Sequence, residues 1–130
     1  MYKRQALGGD SQELSSKFSL GQPVLVPGDM GTASWVLAGP VNGGNDAFSS
    51  SCHGAGRRLS RAAARRSVDS DSLISELESR GVHVRAKTPN VLSEEAPEAY
   101  KNVDDVISLT NQAGLARPVA RLRPISVIKG

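Results

Sequence analysis

S-C-H-G-A-G-R-R-L-S-R, residues Ser51 to Arg61, is the stretch around which this chain is organised. His53 stands before two glycines, Gly54 and Gly56, that bracket Ala55, and an arginine-rich helical pattern follows at once. Glycines let a backbone turn sharply and come close to a ligand. A helix start just downstream offers unpaired N–H groups and a partial positive charge to an anion. Arginines add forked donors suited to phosphate oxygens. The pattern reads as a phosphate cradle with an imidazole beside it. Neutral imidazole can attack phosphorus and form a covalent phosphoramidate. With an ordinary pKa near ~6.5 it is largely neutral at physiological pH. On spacing alone, a histidine beside glycines is more often an ordinary loop residue.

Working outward, Ser60 can cap a helix running to about Arg66. Arg57 and Arg61 are four apart, so on a helical path they share one side. Arg58, Arg65 and Arg66 read as a solvated face. Asp69, Ser70 and Asp71 supply caps for a second helix, Leu73, Ile74 and Leu77 give it an apolar stripe, and Gly81 ends it. Val82 to Arg85 suggests a strand, with His83 at the surface or in a structural role. Pro97 to Lys101 is a short helical turn or loop. Asn102 caps a third helix with Asp104 and Asp105 in its first turn. Val103, Val106 and Ile107 form its buried face, and Gly114 stops it. Val119 to Ile128 reads as a final strand in which Pro124 marks an edge or break.

Upstream, Pro23 to Val26 suits a buried strand and Ser34 to Ala38 a second. Pro27-Gly28-Asp29 turns between them, and Asn42-Gly43-Gly44-Asn45 is a strong turn signal. Residues 1–22 are polar and without periodicity, so loop or disorder is expected there. The count of elements gives an α+β fold, with short mixed strands and about three short helices.

Composition narrows the function classes. The chain has 130 residues, 38% hydrophobic and 22% charged, with a formal net charge of +3. That is one modest domain, able to bury roughly two-thirds of its unfolded surface. No apolar run approaches the ~18 residues a membrane span needs, and no signal-peptide pattern opens the chain, so no membrane segment is expected. The single cysteine, Cys52, cannot form an internal disulfide, which fits a reducing cytoplasm. The mild positive charge permits nucleic acid without demanding it. Tyr2, Phe18, Trp35, Phe48 and Tyr100 are the only aromatics, too few for a generic single-strand stacking platform.

The stretch Ser51 to Arg61 resembles the nucleophile motif of the RtcB family of RNA-splicing ligases. Three further stretches agree, in the family's order. They are V-P-G-D-M-G-T-A-S-W-V from Val26, E-E-A-P-E-A-Y-K-N-V-D from Glu94, and V-A-R-L-R-P-I-S-V-I-K-G from Val119 to Gly130. The likeness covers almost the whole chain from about Pro23. Met1 to Gln5 match nothing in it, so residues 1–22 read as a flexible or misjoined leader before an RtcB-like segment, 23–130.

The resemblance implies a reaction. A histidine attacks the α-phosphate of GTP and keeps GMP. GMP then activates an RNA 3′-phosphate, or a 2′,3′-cyclic phosphate after opening, and a 5′-hydroxyl displaces it. This is the chemistry of tRNA splicing or RNA repair, with RNA and GTP as partners. By resemblance His53 is the nucleophile, and Gly54, Ala55 and Gly56 cradle phosphate. The loop carrying Pro27, Gly28, Asp29, Met30 and Ser34 wraps the guanylate, and Tyr100 stacks on the guanine. Lys129 folds back to the nucleotide and helps choose GTP over ATP. Arg57 and Arg61 hold RNA phosphate, neutralising charge that repels attack between two polyanions.

Two features depart from that pattern. Asp29 stands where the family has a serine form, and a carboxylate repels phosphate unless a metal or arginine intervenes. It could instead accept from a guanine N–H or a ribose hydroxyl. The family's manganese ions take an aspartate, a cysteine and several histidines from upstream of this region. This chain has two histidines and one cysteine in all. With His53 committed to chemistry, Cys52 reads as a small buried thiol and His83 as isolated, so no metal site is expected within the chain. Glu94 and Glu95 look like an acid pair, but adjacent residues diverge on most backbones, so they read as structural. The expectation is roughly the C-terminal third of such an enzyme, inactive alone. The alternatives are a non-catalytic guanine-nucleotide or RNA-binding remnant and a general basic RNA module.

Overall fold

The chain is described by a computed structural model over residues 18–40 and 54–130. Most of the leader, the turn at Asn42 to Asn45, Phe48, Cys52 and His53 lie outside the described residues. The elements run β1 (Pro23–Val26), β2 (Ser34–Ala38), α1 (Arg61–Ser67), α2 (Ser70–Ser79), β3 (His83–Ala86), α3 (Pro89–Glu94), a 3-10 turn (Pro97–Ala99), α4 (Val103–Gln112), β4 (Arg117–Leu122) and β5 (Ser126–Lys129). The class is α+β, and the described residues form four short helices where about three were expected.

Helix ends form where side chains can satisfy free backbone donors. The Ser60 hydroxyl accepts from Ala63 N at 3.1 Å, the Asp69 carboxylate from Ser72 N at 2.9 Å and the Asn102 side chain from Asp104 N at 2.9 Å. The helix the sequence reading misses is α3. Its Thr88 makes no cap bond, and six residues are too few to show periodicity. Pro89 in its first turn carries the pre-set φ that starts a helix, and Leu92 docks it in the core.

Three strands form an antiparallel sheet in the order β1-β2-β4, and β3 and β5 pair in parallel. The expected single strand Val119 to Ile128 is thus two strands in two sheets. Pro124 has no N–H for a ladder, and the chain crosses between sheets at Arg123 to Ile125. Between Val36 and Leu37 the register slips, with Val36 opposite Ala120 and Leu37 opposite Pro118, so Val119 is the extra residue of a bulge.

Period-2 burial sends Val24 and Val26 of β1 inward and Leu25 outward. Val24, Val26, Ala33, Leu37, Ala55, Val103, Ile107 and Ala116 make one core cluster, with Trp35 packed against it. Met30, Leu73, Leu77, Val82, Leu92 and Ala96 make a second, between α2, α3 and the β3–β5 pair. The loop between β1 and β2 contributes to both, through Ala33 to the first and Met30 to the second. It is therefore pinned at two points. Among the described residues no helix is long and apolar enough to cross a membrane.

Candidate functional site

The pinned loop is built around Asp29. One carboxylate oxygen accepts from Gly31 N at 2.8 Å and Thr32 N at 2.9 Å, and the other from the Thr32 hydroxyl at 2.9 Å. This is the aspartate turn in which a short side chain replaces a backbone acceptor. Three loop donors offset the charge that made Asp29 awkward beside a phosphate. Gly28 N donates to the Ser34 hydroxyl at 3.3 Å, closing the base of the loop. The Met30 side chain is 2% exposed and points into the second core, so only its backbone can meet a ligand.

Beside this loop lies an open cavity of about 410 Å³. Gly28, Asp29, Met30 and Ser34 form one wall, and the corner Leu122 to Pro124 and the strand Ser126 to Lys129 form another. Its size falls within the range of small-molecule sites, roughly 300–1,000 Å³. Lys129 is held in β5, opposite Ala86, and its carbonyl accepts from Lys87 N at 2.9 Å. The penultimate residue is thus tied down, and five of the residues singled out by sequence line one space.

The glycine segment meets the same loop from another direction. A Cβ on Gly54 would stand 3.3 Å from the Pro27 carbonyl oxygen. Ala55 is buried in the first core, and the Gly56 carbonyl accepts from Lys101 N at 2.9 Å. The expected phosphate cradle of helix N–H groups takes a different form. Arg58 N and Leu59 N both donate to the Ala99 carbonyl, at 2.8 and 3.2 Å, and α1 begins only at Arg61. Backbone donors near the glycines are therefore used to anchor the segment to the 3-10 turn.

Arg57 likewise departs from the expected helical pairing with Arg61. It sits before the helix, in an isolated bridge with Tyr100. Its guanidinium donates to the Leu59 carbonyl at 3.1 Å, the Glu94 carbonyl at 2.5 Å, the Glu95 carboxylate at 3.2 Å and the Tyr100 hydroxyl at 2.9 Å. Its carbon lies 4.8 Å from the centre of the Tyr100 ring, covering one face. A base stacking on Tyr100 has only the other face. Arg61 is 68% exposed and pairs with Glu94 at 3.6 Å. Glu94 is held more closely by Arg65, at 2.6 Å.

Glu95 joins these parts. It accepts from the Tyr100 hydroxyl at 2.5 Å and from Arg57, and it faces Lys129 Nζ at 3.6 Å. Burial pushes the Tyr100 hydroxyl above the ordinary tyrosine range, helped by its hydrogen bond to Glu95 and that group's charge, with Arg57 opposing. A raised folded pKa means a contribution to stability that is complete below the unfolded pKa and disappears as pH climbs through the folded one. Phenolate absorbance should therefore show Tyr100 ionising later in the native chain than in urea. The late component should vanish in Tyr100→Phe. Coincident native and unfolded titrations would contradict the geometry.

The model of the RtcB family, described as tRNA-splicing ligase RtcB, matches residues 5–130. The chain belongs to the RtcB family. Among its relatives, the tRNA-splicing ligase RtcB of Pyrococcus furiosus is 57% identical over 111 residues, which is 85% of this chain and 11% of that protein. The one from Thermococcus kodakarensis is 56% identical, over 85% of this chain and 23% of its own length. That from Archaeoglobus fulgidus is 46% identical over 97% of this chain and 26% of its own. The chain thus spans about a tenth to a quarter of these relatives. The RtcB match also begins upstream of Pro23, taking in most of the stretch read as a leader.

Among the described residues of this RtcB chain, no three His, Cys, Asp or Glu side chains gather as a metal set. His83 is exposed on β3 and does not line the cavity. The loop and Lys129 together place a hydroxyl, backbone groups and a lysine around one space. Sequence reasoning did not find Glu95 as the group linking Arg57, Tyr100 and Lys129. Positions 57, 95, 100 and 129 share no spacing that would reveal it. It also did not find a larger cavity, about 570 Å³, bordered by Gly31 to Ala33, Arg80, Arg121 and Arg123. There Arg121 grips Asp104 at 2.8 Å and Arg80 donates to the Gly31 carbonyl at 2.8 Å. Asp104 also accepts from the Trp35 indole at 2.8 Å. Its carboxyl is held below the usual range, chiefly by the Arg121 hydrogen bond.

Proposed function

We propose that this chain is the C-terminal part of a GTP-dependent RNA ligase. It joins RNA 3′-phosphate or 2′,3′-cyclic phosphate ends to 5′-hydroxyl ends through a histidine-bound GMP, in tRNA splicing or RNA repair. The observation that supports this most is the gathering of Gly28, Asp29, Ser34 and Lys129 around one cavity, with Gly54 packed on Pro27 at the foot of the same loop. His53 directly precedes Gly54. Its neutral imidazole attacks the α-phosphate, an N–P bond forms and pyrophosphate leaves. GMP then passes to the RNA phosphate, and the 5′-hydroxyl attacks as GMP departs. Lys129 meets the guanine or its phosphate, Tyr100 offers its uncovered face to the base, and Gly54 to Gly56 support phosphate. Arg61 turns to RNA phosphate. Arg57 can join it only by releasing protein partners, so its contribution there is the weaker of the two.

Manganese, when bound by the upstream part of such a ligase, neutralises and orients the phosphates. The cytoplasm is the compartment this chemistry suits. The chain alone should neither ligate RNA nor label itself with GMP from α-labelled GTP and manganese. Supplied with the upstream portion of a family ligase, it should take up label, and His53→Ala should take up none. Label that survives His53→Ala would defeat the assignment. Nucleotide-indifferent RNA binding with steep salt dependence would instead favour a basic RNA module.

A further inference from the structure

Lys129 is fixed at its backbone but carries a flexible stem of four carbons. Strand pairing with β3 and the bond from Lys87 N hold the main chain. The ammonium group needs a separate constraint to stay at the cavity, because an unrestrained lysine tip samples many rotamers. Its ion-pair partner is Glu95, at 3.6 Å.

Glu95 is itself well determined. Its backbone N–H donates to the Leu92 carbonyl at the end of α3. Its two carboxylate oxygens divide the work, with Oε1 facing Arg57 at 3.2 Å and Oε2 taking the Tyr100 hydroxyl at 2.5 Å. Arg57 in turn bonds the same hydroxyl at 2.9 Å, which closes a triangle. The carboxylate is 23% exposed, so it is partly shielded from water that would weaken the pairing. Glu95 is not among the residues that line the cavity. It reaches the cavity only through Lys129.

We infer that Glu95 is a positioning residue for guanylate recognition, holding the Lys129 ammonium at the Gly28–Ser34 loop while fixing the Tyr100 ring through its hydroxyl. The inference rests on the guanylate reading above. Glu95 touches no nucleotide. It reduces the rotamer freedom that Lys129 must give up on binding, and it keeps the tyrosine and the lysine in a constant relation.

The test has two arms. Without ligand, carbon-13 relaxation of lysine terminal methylenes should show Lys129 more ordered than the exposed Lys87 and Lys101, and that order should fall in Glu95→Gln. A Lys129 tip as mobile as those two in the parent chain overturns the inference, whether or not the variant folds. With GTP and ATP as probes, Glu95→Gln should weaken GTP binding roughly 10-fold, the scale of one ordered long side chain. It should have little further effect in a Lys129→Ala background. Additive losses in the double variant would mean that Glu95 acts on general structure and would overturn the positioning role. If the parent chain does not discriminate GTP from ATP, or if Lys129→Ala binds GTP as the parent does, the guanylate reading fails and takes this inference with it. If Lys129→Ala weakens binding and Glu95→Gln does not, the inference alone fails.

Discussion

Gly28→Ala is expected to destabilise this chain by about 3 kcal/mol or more, the upper end of overpacking costs. A Cβ at position 28 would stand 1.8 Å from the Ala33 carbonyl oxygen, 2.9 Å from the Thr32 hydroxyl and 3.0 Å from the Ala33 carbonyl carbon. Two of these atoms are backbone. The loop cannot swing clear, because Met30 and Ala33 are both 2% exposed and belong to different core clusters. Gly28 N also supplies the bond to Ser34 that closes the loop. Melting should fall on the order of 10 °C for a domain of this size. Gly56→Ala is the control. Gly56 has φ +81° but open space around its Cβ, so only the left-handed backbone is strained, at about 1–2 kcal/mol. If the two variants melt together, the close approach at Gly28 is not what shapes the loop.

Arg57→Ala is expected to cost about 2–4 kcal/mol, between the loss of a charged hydrogen bond and the breaking of a buried pair. It would strip partners from the Glu94 carbonyl, the Glu95 carboxylate and the Tyr100 hydroxyl at once. Arg57→Lys keeps the charge but not the planar fork. One ammonium cannot serve two carbonyls, a carboxylate and a phenol in four directions, so less than half the loss should be recovered. A second readout has a definite sign. Arg57 lowers the Tyr100 pKa by charge and hydrogen bond, so removing it should push the phenol further up. Denaturant melts and phenolate titration together decide the matter. A lysine variant as stable as the parent would remove the fork from the account.

Much of the local structure was legible because it depends on neighbours in the chain. Ser60, Asp69 and Asn102 cap the helices that sequence assigns to them, since a cap bond spans only two or three residues. Leu73 and Leu77 are buried at the positions the helical period requires. The strands at Pro23 and Ser34 follow from apolar runs bounded by turns. What escaped was set by distant contacts. The helix at Pro89 exists because Leu92 has a core to enter, and the last strand divides because its two halves have different partners. Arg57 leaves the helical path because Tyr100 and Glu95 receive it.

From the bare chain came the α+β class, the helix caps, the glycine segment after His53 and the likeness that the RtcB family match bears out. The side-chain types that the proposed guanylate chemistry would use were also visible there. Only the folded molecule decided that Lys129 and the loop at Gly28 line one cavity and that Glu95 links lysine and arginine. The reason is range. Caps and periodicity act over one or two helical turns, whereas these contacts join residues dozens of positions apart, and only the packing of two cores brings them together.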